Sequence, residues 1–139
     1  MAQDASRPTD TTGKGARSPT ILVVEDETLT RIALADYLQE VGYRVLEAVN
    51  ADEAVTILQR ADLAVDLVFT DVRMPGSMNG LALARWIGAH RPGLAVILTS
   101  ADSKQADVAR ELGAPAPFLA KPYDVGTAIA KIQAAIGRP

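Results

Sequence analysis

From Thr20 onward, apolar and polar positions follow two alternating rhythms. Ile21-Leu22-Val23-Val24 is an unbroken apolar run, the pattern of a strand buried on both faces. The next stretch, about Thr28 to Val41, changes period. Leu29, Ile32, Ala33, Asp36 and Tyr37 fall at three–four spacing, and Gly42 suits a helix stop. Arg44 to Val49 reads as a second strand, and Glu47 within it suggests a sheet edge. Asn50 can cap a helix from Ala51 to about Ala61, with Ala54, Val55 and Leu58 inward. Leu67-Val68-Phe69 is a third buried strand. A loop from Met74 to Asn79 follows, turned by Pro75 and Gly76. Gly80 to Ala89 reads as a helix that Arg91-Pro92-Gly93 ends. Ala95 to Leu98 is a fourth strand, Asp102 to Leu112 a helix stopped by Gly113, Phe118 to Ala120 a short fifth strand, and Asp124 to Ile136 a closing helix. Strand–helix alternation with short connections predicts an α/β domain with one doubly wound, five-stranded parallel sheet, a (βα)5 chain with helices on both faces.

Residues 1–19 break this rhythm. They contain no Leu, Ile, Val or Phe, and eleven of them are Ser, Thr, Asp, Gly or Pro. Such a segment buries nothing to offset its ordering entropy. The expectation is a disordered tail over 1–19 and one folded domain over 20–137. Thr12-Gly13-Lys14 resembles the end of a phosphate loop, but position 8 is Pro where that loop needs Gly.

Composition narrows the function. The 139 residues carry 14 Lys and Arg against 17 Asp and Glu, a net charge of −3. That argues against a cationic surface for nucleic acid or membrane. There is no cysteine, so disulfides, thiolate metal sites and Cys nucleophiles are excluded. No apolar run approaches a membrane span, and the first 20 residues lack the apolar core of a secretory signal. A soluble cytoplasmic protein is the expectation.

In an open parallel sheet, ligands bind beyond the carboxyl ends of the strands. The first run ends in Glu25-Asp26-Glu27, the third in Thr70-Asp71, the fourth in Thr99-Ser100 and the fifth in Lys121-Pro122. The second contributes only Asn50. Glu27 suits the first turn of a helix, where the macrodipole favours an anion. Glu25, Asp26 and Asp71 are harder to explain as loop residues. Two like charges about 4 Å apart repel by roughly 4 kcal/mol at an effective dielectric of about 20. A cation between them relieves this, and oxygen-only ligands with open water positions suit Mg²⁺. A metal, an exposed carboxylate, a Lys and a hydroxyl together make a phosphoryl-transfer kit. The Asp can act as nucleophile while Mg²⁺ and Lys neutralise the transferring group.

The motifs Ile21-Leu22-Val23-Val24-Glu25-Asp26-Glu27, Thr70-Asp71-Val72-Arg73-Met74-Pro75, Thr99-Ser100-Ala101 and Phe118-Leu119-Ala120-Lys121-Pro122 stand in order, each at a strand end. With them, about Pro19 to Ile136 resembles a response-regulator receiver domain of bacterial two-component signalling. The resemblance implies the flavodoxin-like strand order 2-1-3-4-5. It implies that Asp71 accepts phosphate from a histidine kinase or histidine phosphotransfer protein. Asp26 and Asp71 would hold Mg²⁺, Glu25 would assist, and the Arg73 backbone carbonyl would add a ligand. Lys121 would pair with the acyl phosphate. Ser100, before Ala101, would be the switch hydroxyl, rather than Thr99, which alternation turns the opposite way. Phe118 would be the aromatic that swings inward as Ser100 moves, reshaping the face of the fourth helix, fifth strand and fifth helix for an unknown target protein, onward phosphotransfer or a phosphorylation-linked homodimer. The Lys121–Pro122 bond is commonly cis in this family. The chain departs from the family pattern at Glu25 and Asn79, where Asp is usual, and in a Met74–Gly80 loop one residue longer than the shortest form.

Arg73 lies two residues after the acceptor, and Asp102 two after the switch hydroxyl. The expectation is that they approach across the mouth of the site and tune hydrolysis by limiting water access. His90, the only histidine, reads as a solvated residue ending the third helix; Trp86 reads as partly buried, and Met74 and Met78 as loop packing. Two other functions stay open. One is a non-phosphorylated pseudo-receiver that serves as an interaction module. The other is an Mg²⁺ phosphatase, which typically carries a second Asp where this chain has Arg73. On the receiver reading the protein is no enzyme beyond its own phosphorylation and dephosphorylation.

Overall fold

The computed structural model describes residues 18–113 and 116–139. Most of the expected tail, residues 1–17, lies outside the described residues. The elements run β1 (Thr20–Val24), α1 (Thr28–Val41), β2 (Arg44–Ala48), α2 (Ala51–Leu58), β3 (Leu67–Asp71), α3 (Gly80–His90), β4 (Ala95–Ser100), α4 (Gln105–Leu112), β5 (Phe118–Ala120) and α5 (Val125–Ile136). The strands form one parallel sheet in the order β2-β1-β3-β4-β5. The expected doubly wound architecture and strand order are therefore observed.

Period-two alternation sorts the strand residues between two layers. Ile21, Val23, Leu67, Phe69, Ile97 and Leu119 face α1 and α5, meeting Leu34, Leu38, Ala128 and Ile132. Leu22, Val24 and Val68 face α2 and α3, meeting Ala54, Leu58, Leu83 and Ile87. Leu98 and Phe118 meet Leu81 of α3 and Val108 of α4 on that same side. Each such large side chain contributes roughly 1.5–3 kcal/mol on burial. β2 lies at the sheet edge, as Glu47 suggested, and its exposed Arg44 and Glu47 discourage strand addition. Met74 and Met78 pack their loop onto the α2–α3 side, and Trp86 packs there as a partly buried residue. His90 is exposed and stacks on Trp86, with its Nδ1 2.9 Å from the Trp86 carbonyl oxygen.

Three details differ from expectation. The three–four stripe of α1 does not face the sheet: Leu29 is 78% exposed, Tyr37 46% and Ile32 42%. The buried stripe is Leu34, Ala35 and Leu38. Apolar residues on both sides of this helix gave two competing stripes, and the sheet selected one. α2 ends at Leu58 rather than near Ala61. α4 begins at Gln105, not Asp102, because the backbone N–H groups of Asp102 and Ser103 both donate to Ser100 Oγ (3.1 Å each). Those donors are held in a turn, and Lys104 becomes the residue preceding the helix.

Candidate functional site at the carboxyl edge of the sheet

Strand register assembles the site. Val24 pairs with Thr70, so Glu25, one residue on, stands beside Asp71. Asp71 pairs with Thr99, and Thr99 with Leu119. Lys121 follows two residues later, and its Nζ donates to Asp71 Oδ2 at 2.7 Å and to Glu25 Oε1 at 2.9 Å. Each carboxylate has a second donor. Glu27 N–H reaches Glu25 Oε2 at 3.1 Å, and Arg73 N–H reaches Asp71 Oδ1 at 3.1 Å. Glu25 and Asp71 are buried, at 5% and 7% exposure, whereas Asp26 is exposed. Ligand oxygens of all three acids lie within 4.8 Å of one another. Glu27 sits at the capping position of α1, one residue before its first turn, and accepts a hydrogen bond from Thr30 Oγ1.

The electrostatics follow from this crowding. Burial raises the Glu25 pKa above its ordinary value; Lys121 and the Glu27 N–H pull it down without overcoming burial, and Asp71 adds repulsion. Burial also disfavours the Lys121 charge, but hydrogen bonds to Asp71 and Glu25 outweigh it and hold the ammonium well above its ordinary pKa. One cation thus serves two buried anions. An all-oxygen donor set with an exposed third carboxylate fits a hard divalent cation such as Mg²⁺.

The remaining expected residues fall around this core. Ser100 is buried on the opposite face of β4 from Thr99, the face it shares with Leu98 and Phe118. Phe118 was expected to swing inward on phosphorylation, yet it is already inward here, 8% exposed against Val72, Leu81, Leu98 and Val108. An all-apolar ring gains by burial and has no hydroxyl to keep it in water. Arg73 and Asp102 are exposed, and among the described residues no ion pair joins them; each touches the site through its backbone N–H. The Lys121–Pro122 peptide is cis.

Three contributors escaped sequence reasoning. Arg31 donates to the Glu25 carbonyl oxygen at 3.0 Å and to Glu47 at 3.1 Å, tying the acidic loop to β2. A charge inside a helical stripe was its only signal. Gly80 opens α3 against the acceptor strand: a Cβ there would lie 2.0 Å from the Asp71 carbonyl oxygen. Its signal was a glycine at a helix start, where it lowers helix propensity. Thr99, set aside in favour of Ser100, is the register neighbour of Asp71.

These features have counterparts in known proteins. Residues 21–133 match the family described as the response regulator receiver domain. The chain belongs to that family. It is 36% identical over 120 residues to the transcriptional regulatory protein PdtaR of Mycobacterium tuberculosis, covering 85% of this chain and 57% of that protein. It is 35% identical over 109 residues to the aerobic respiration control protein ArcA of Escherichia coli, covering 78% of this chain and 44% of that one. The chain thus spans about half the length of these curated relatives. A receiver protein from Pseudomonas putida superposes with a TM-score of 0.75 at 34% identity, covering 86% of this chain and 98% of that one. The non-phosphorylated HemR receiver domain of Leptospira biflexa gives 0.74 at 33%, covering 88% and 98%. Receiver domains of this family act as phosphoacceptors in two-component signalling, bind Mg²⁺ at an acidic pocket and engage histidine kinases or phosphotransfer proteins. Among the described residues, no helix is long and apolar enough to cross a membrane.

Proposed function

We propose that this receiver takes a phosphoryl group on Asp71 from the phosphohistidine of a kinase or phosphotransfer protein and works as a cytoplasmic switch. The observation that carries the reading is the Lys121 ammonium, bonded at once to Asp71 and Glu25 within the three-acid cluster. An Asp71 carboxylate oxygen forms the new bond to phosphorus as the bond from phosphorus to the imidazole nitrogen breaks. Lys121 is placed to neutralise the incoming oxygens. Asp26 and Asp71 would hold Mg²⁺, with Glu25 and the Arg73 carbonyl assisting; the ion supplies charge neutralisation at the phosphoryl oxygens. A helical phosphodonor has a landing place beside the site. A groove of about 520 Å³ between α1 and the β5–α5 connection is lined by Ala33, Tyr37, Pro122 and Tyr123 and reaches Lys121.

The signal leaves through Ser100. Its hydroxyl now accepts from Asp102 N–H and Ser103 N–H. A phosphoryl group on Asp71 offers a charged acceptor for that hydroxyl, and hydrogen bonds to charged groups contribute about 1.5–3 kcal/mol. As Ser100 turns, the two N–H groups lose their acceptor and the start of α4 has to rearrange. Phe118, packed against Val108 of α4, follows and changes the α4–β5–α5 face that a target or a second copy would read.

Intact mass after incubation with a small phosphodonor tests the acceptor. One added phosphate, dependent on Mg²⁺ and absent in Asp71→Asn, is expected. A folded protein that gains no mass from either the donor or a phosphorylated kinase would sink the reading in favour of a pseudo-receiver. Arg73 and Asp102 flank the mouth and would tune hydrolysis by screening water. Arg73→Ala and Asp102→Ala are expected to change the phosphoryl half-life; an unchanged half-life in both removes that role.

A further inference from the structure

Thr99 is 1% exposed, and its Oγ1 is the only buried side-chain polar atom among the described residues without a hydrogen-bond partner. Native interiors leave few such groups unexplained. Its position is specific. It shares a face and a row with Asp71, and by continuation of the register with Glu25. Lys121 follows β5, whereas its two partners sit at the ends of β3 and β1, with β4 in between. The Lys121 backbone N–H bonds the Ser100 carbonyl, and its side chain crosses β4 to reach Asp71, whose register neighbour on β4 is Thr99. An orphaned hydroxyl therefore lies in the row of a carboxylate that holds the ammonium, and of that ammonium's three N–H donors two are bonded to carboxylates.

We propose that Thr99 is a positioning residue for Lys121: its hydroxyl accepts a hydrogen bond from the ammonium when a divalent cation draws Glu25 away from it. The inference rests on the cation site proposed above. Without such an acceptor, loading the site would leave a partly buried Lys121 N–H unbonded, and the existing Lys121–Glu25 pair would compete with the cation. With it, the donor released from Glu25 is bonded again, and the hydroxyl loses its orphan status in the same step. Thr99 needs the hydroxyl for the loaded state alone. In the unloaded state a valine of the same shape would serve the fold better, since it carries no unbonded polar atom.

The two states can be read separately by thermal melting of the full chain, in EDTA and across a series of MgCl2 concentrations. Wild type, Thr99→Val and Thr99→Ser are compared. In EDTA, Thr99→Val is expected to melt about 3 °C higher than wild type. The apparent Mg²⁺ affinity, taken from the rise of Tm with concentration, is expected to fall about tenfold in Thr99→Val, the loss of one charge-assisted hydrogen bond. Thr99→Ser, which keeps the hydroxyl, restores the affinity. A Thr99→Val protein that binds Mg²⁺ as wild type does overturns the proposal and leaves the cation site standing. An affinity that falls equally in Thr99→Ser also overturns it, because shape and not the hydroxyl is then responsible. A wild-type Tm that ignores Mg²⁺ removes the cation site and the inference together. Thr99→Ala carries the same test should the valine variant fail to fold.

Discussion

The last two helices, α4 and α5, leave the sheet on opposite faces and are held to it very differently. α5 buries Ala128 and Ile132 completely, with Ile129 and Ile136 packed beside them, and Asp124 caps it by accepting from Thr127 N–H. α4 buries Val108 alone, and the residue before it, Lys104, contributes no side-chain cap. The well-anchored helix backs the face that carries Glu25, Asp71, Thr99 and Lys121. The lightly anchored one hangs from the loop that Ser100 organises. Chemistry needs groups held within a fraction of an ångström, whereas a readout needs a segment that one or two hydrogen bonds can shift. The two halves of the molecule meet these demands separately.

The strongest way to break the comparison is on the rigid side. Gly80→Ala places a Cβ in the Asp71 backbone and cannot be accommodated without moving β3 or α3. We expect a loss of at least ~3 kcal/mol in urea unfolding and loss of phosphorylation. Next come paired truncations. Ile132→Ala should cost about 2–5 kcal/mol globally, and Val108→Ala less, about 1–3 kcal/mol. The informative readout is amide exchange. Ile132→Ala should lower protection throughout the sheet, and Val108→Ala chiefly in α4; equal, global loss in both would erase the contrast. Ser100→Ala, in the unphosphorylated protein, removes the acceptor of two N–H groups. It should accelerate exchange from Asp102 through Val108 at a global cost of about 1–2 kcal/mol.

The smallest effect concerns the far end of α5. Tyr43 is buried, its hydroxyl donates to the Gly137 carbonyl at 2.8 Å, and burial raises its pKa above the ordinary value near 10. The fold therefore prefers the protonated phenol. This contribution is complete below the unfolded pKa and is lost as pH rises through the higher folded one. A Tm measured from pH 9 upward should fall more steeply in wild type than in Tyr43→Phe, and coincident curves would show that the phenol does not matter.

The amino-acid sequence by itself determined the order of elements, the parallel sheet and the position of every acid, hydroxyl and ammonium at a strand end. Unbroken apolar runs followed by polar residues are local signals that survive without knowledge of neighbours. The departure of α4 from its expected start was nearly legible too, since a Ser two and three residues before free N–H groups is a known competitor of helix. Tertiary structure decided the rest, because each remaining question concerned a partner distant in the chain. Which of two stripes on α1 meets the core depends on the sheet it covers, so Leu34 and Leu38 are buried while Leu29 and Ile32 are exposed. Whether Arg31 is a surface charge or a tie depends on Glu47 being within reach. Why position 80 is glycine depends on the approach of the Asp71 backbone. That Thr99 lies in the row of the acceptor, on the strand between it and the lysine, follows from register and strand order; neither is written in any single segment.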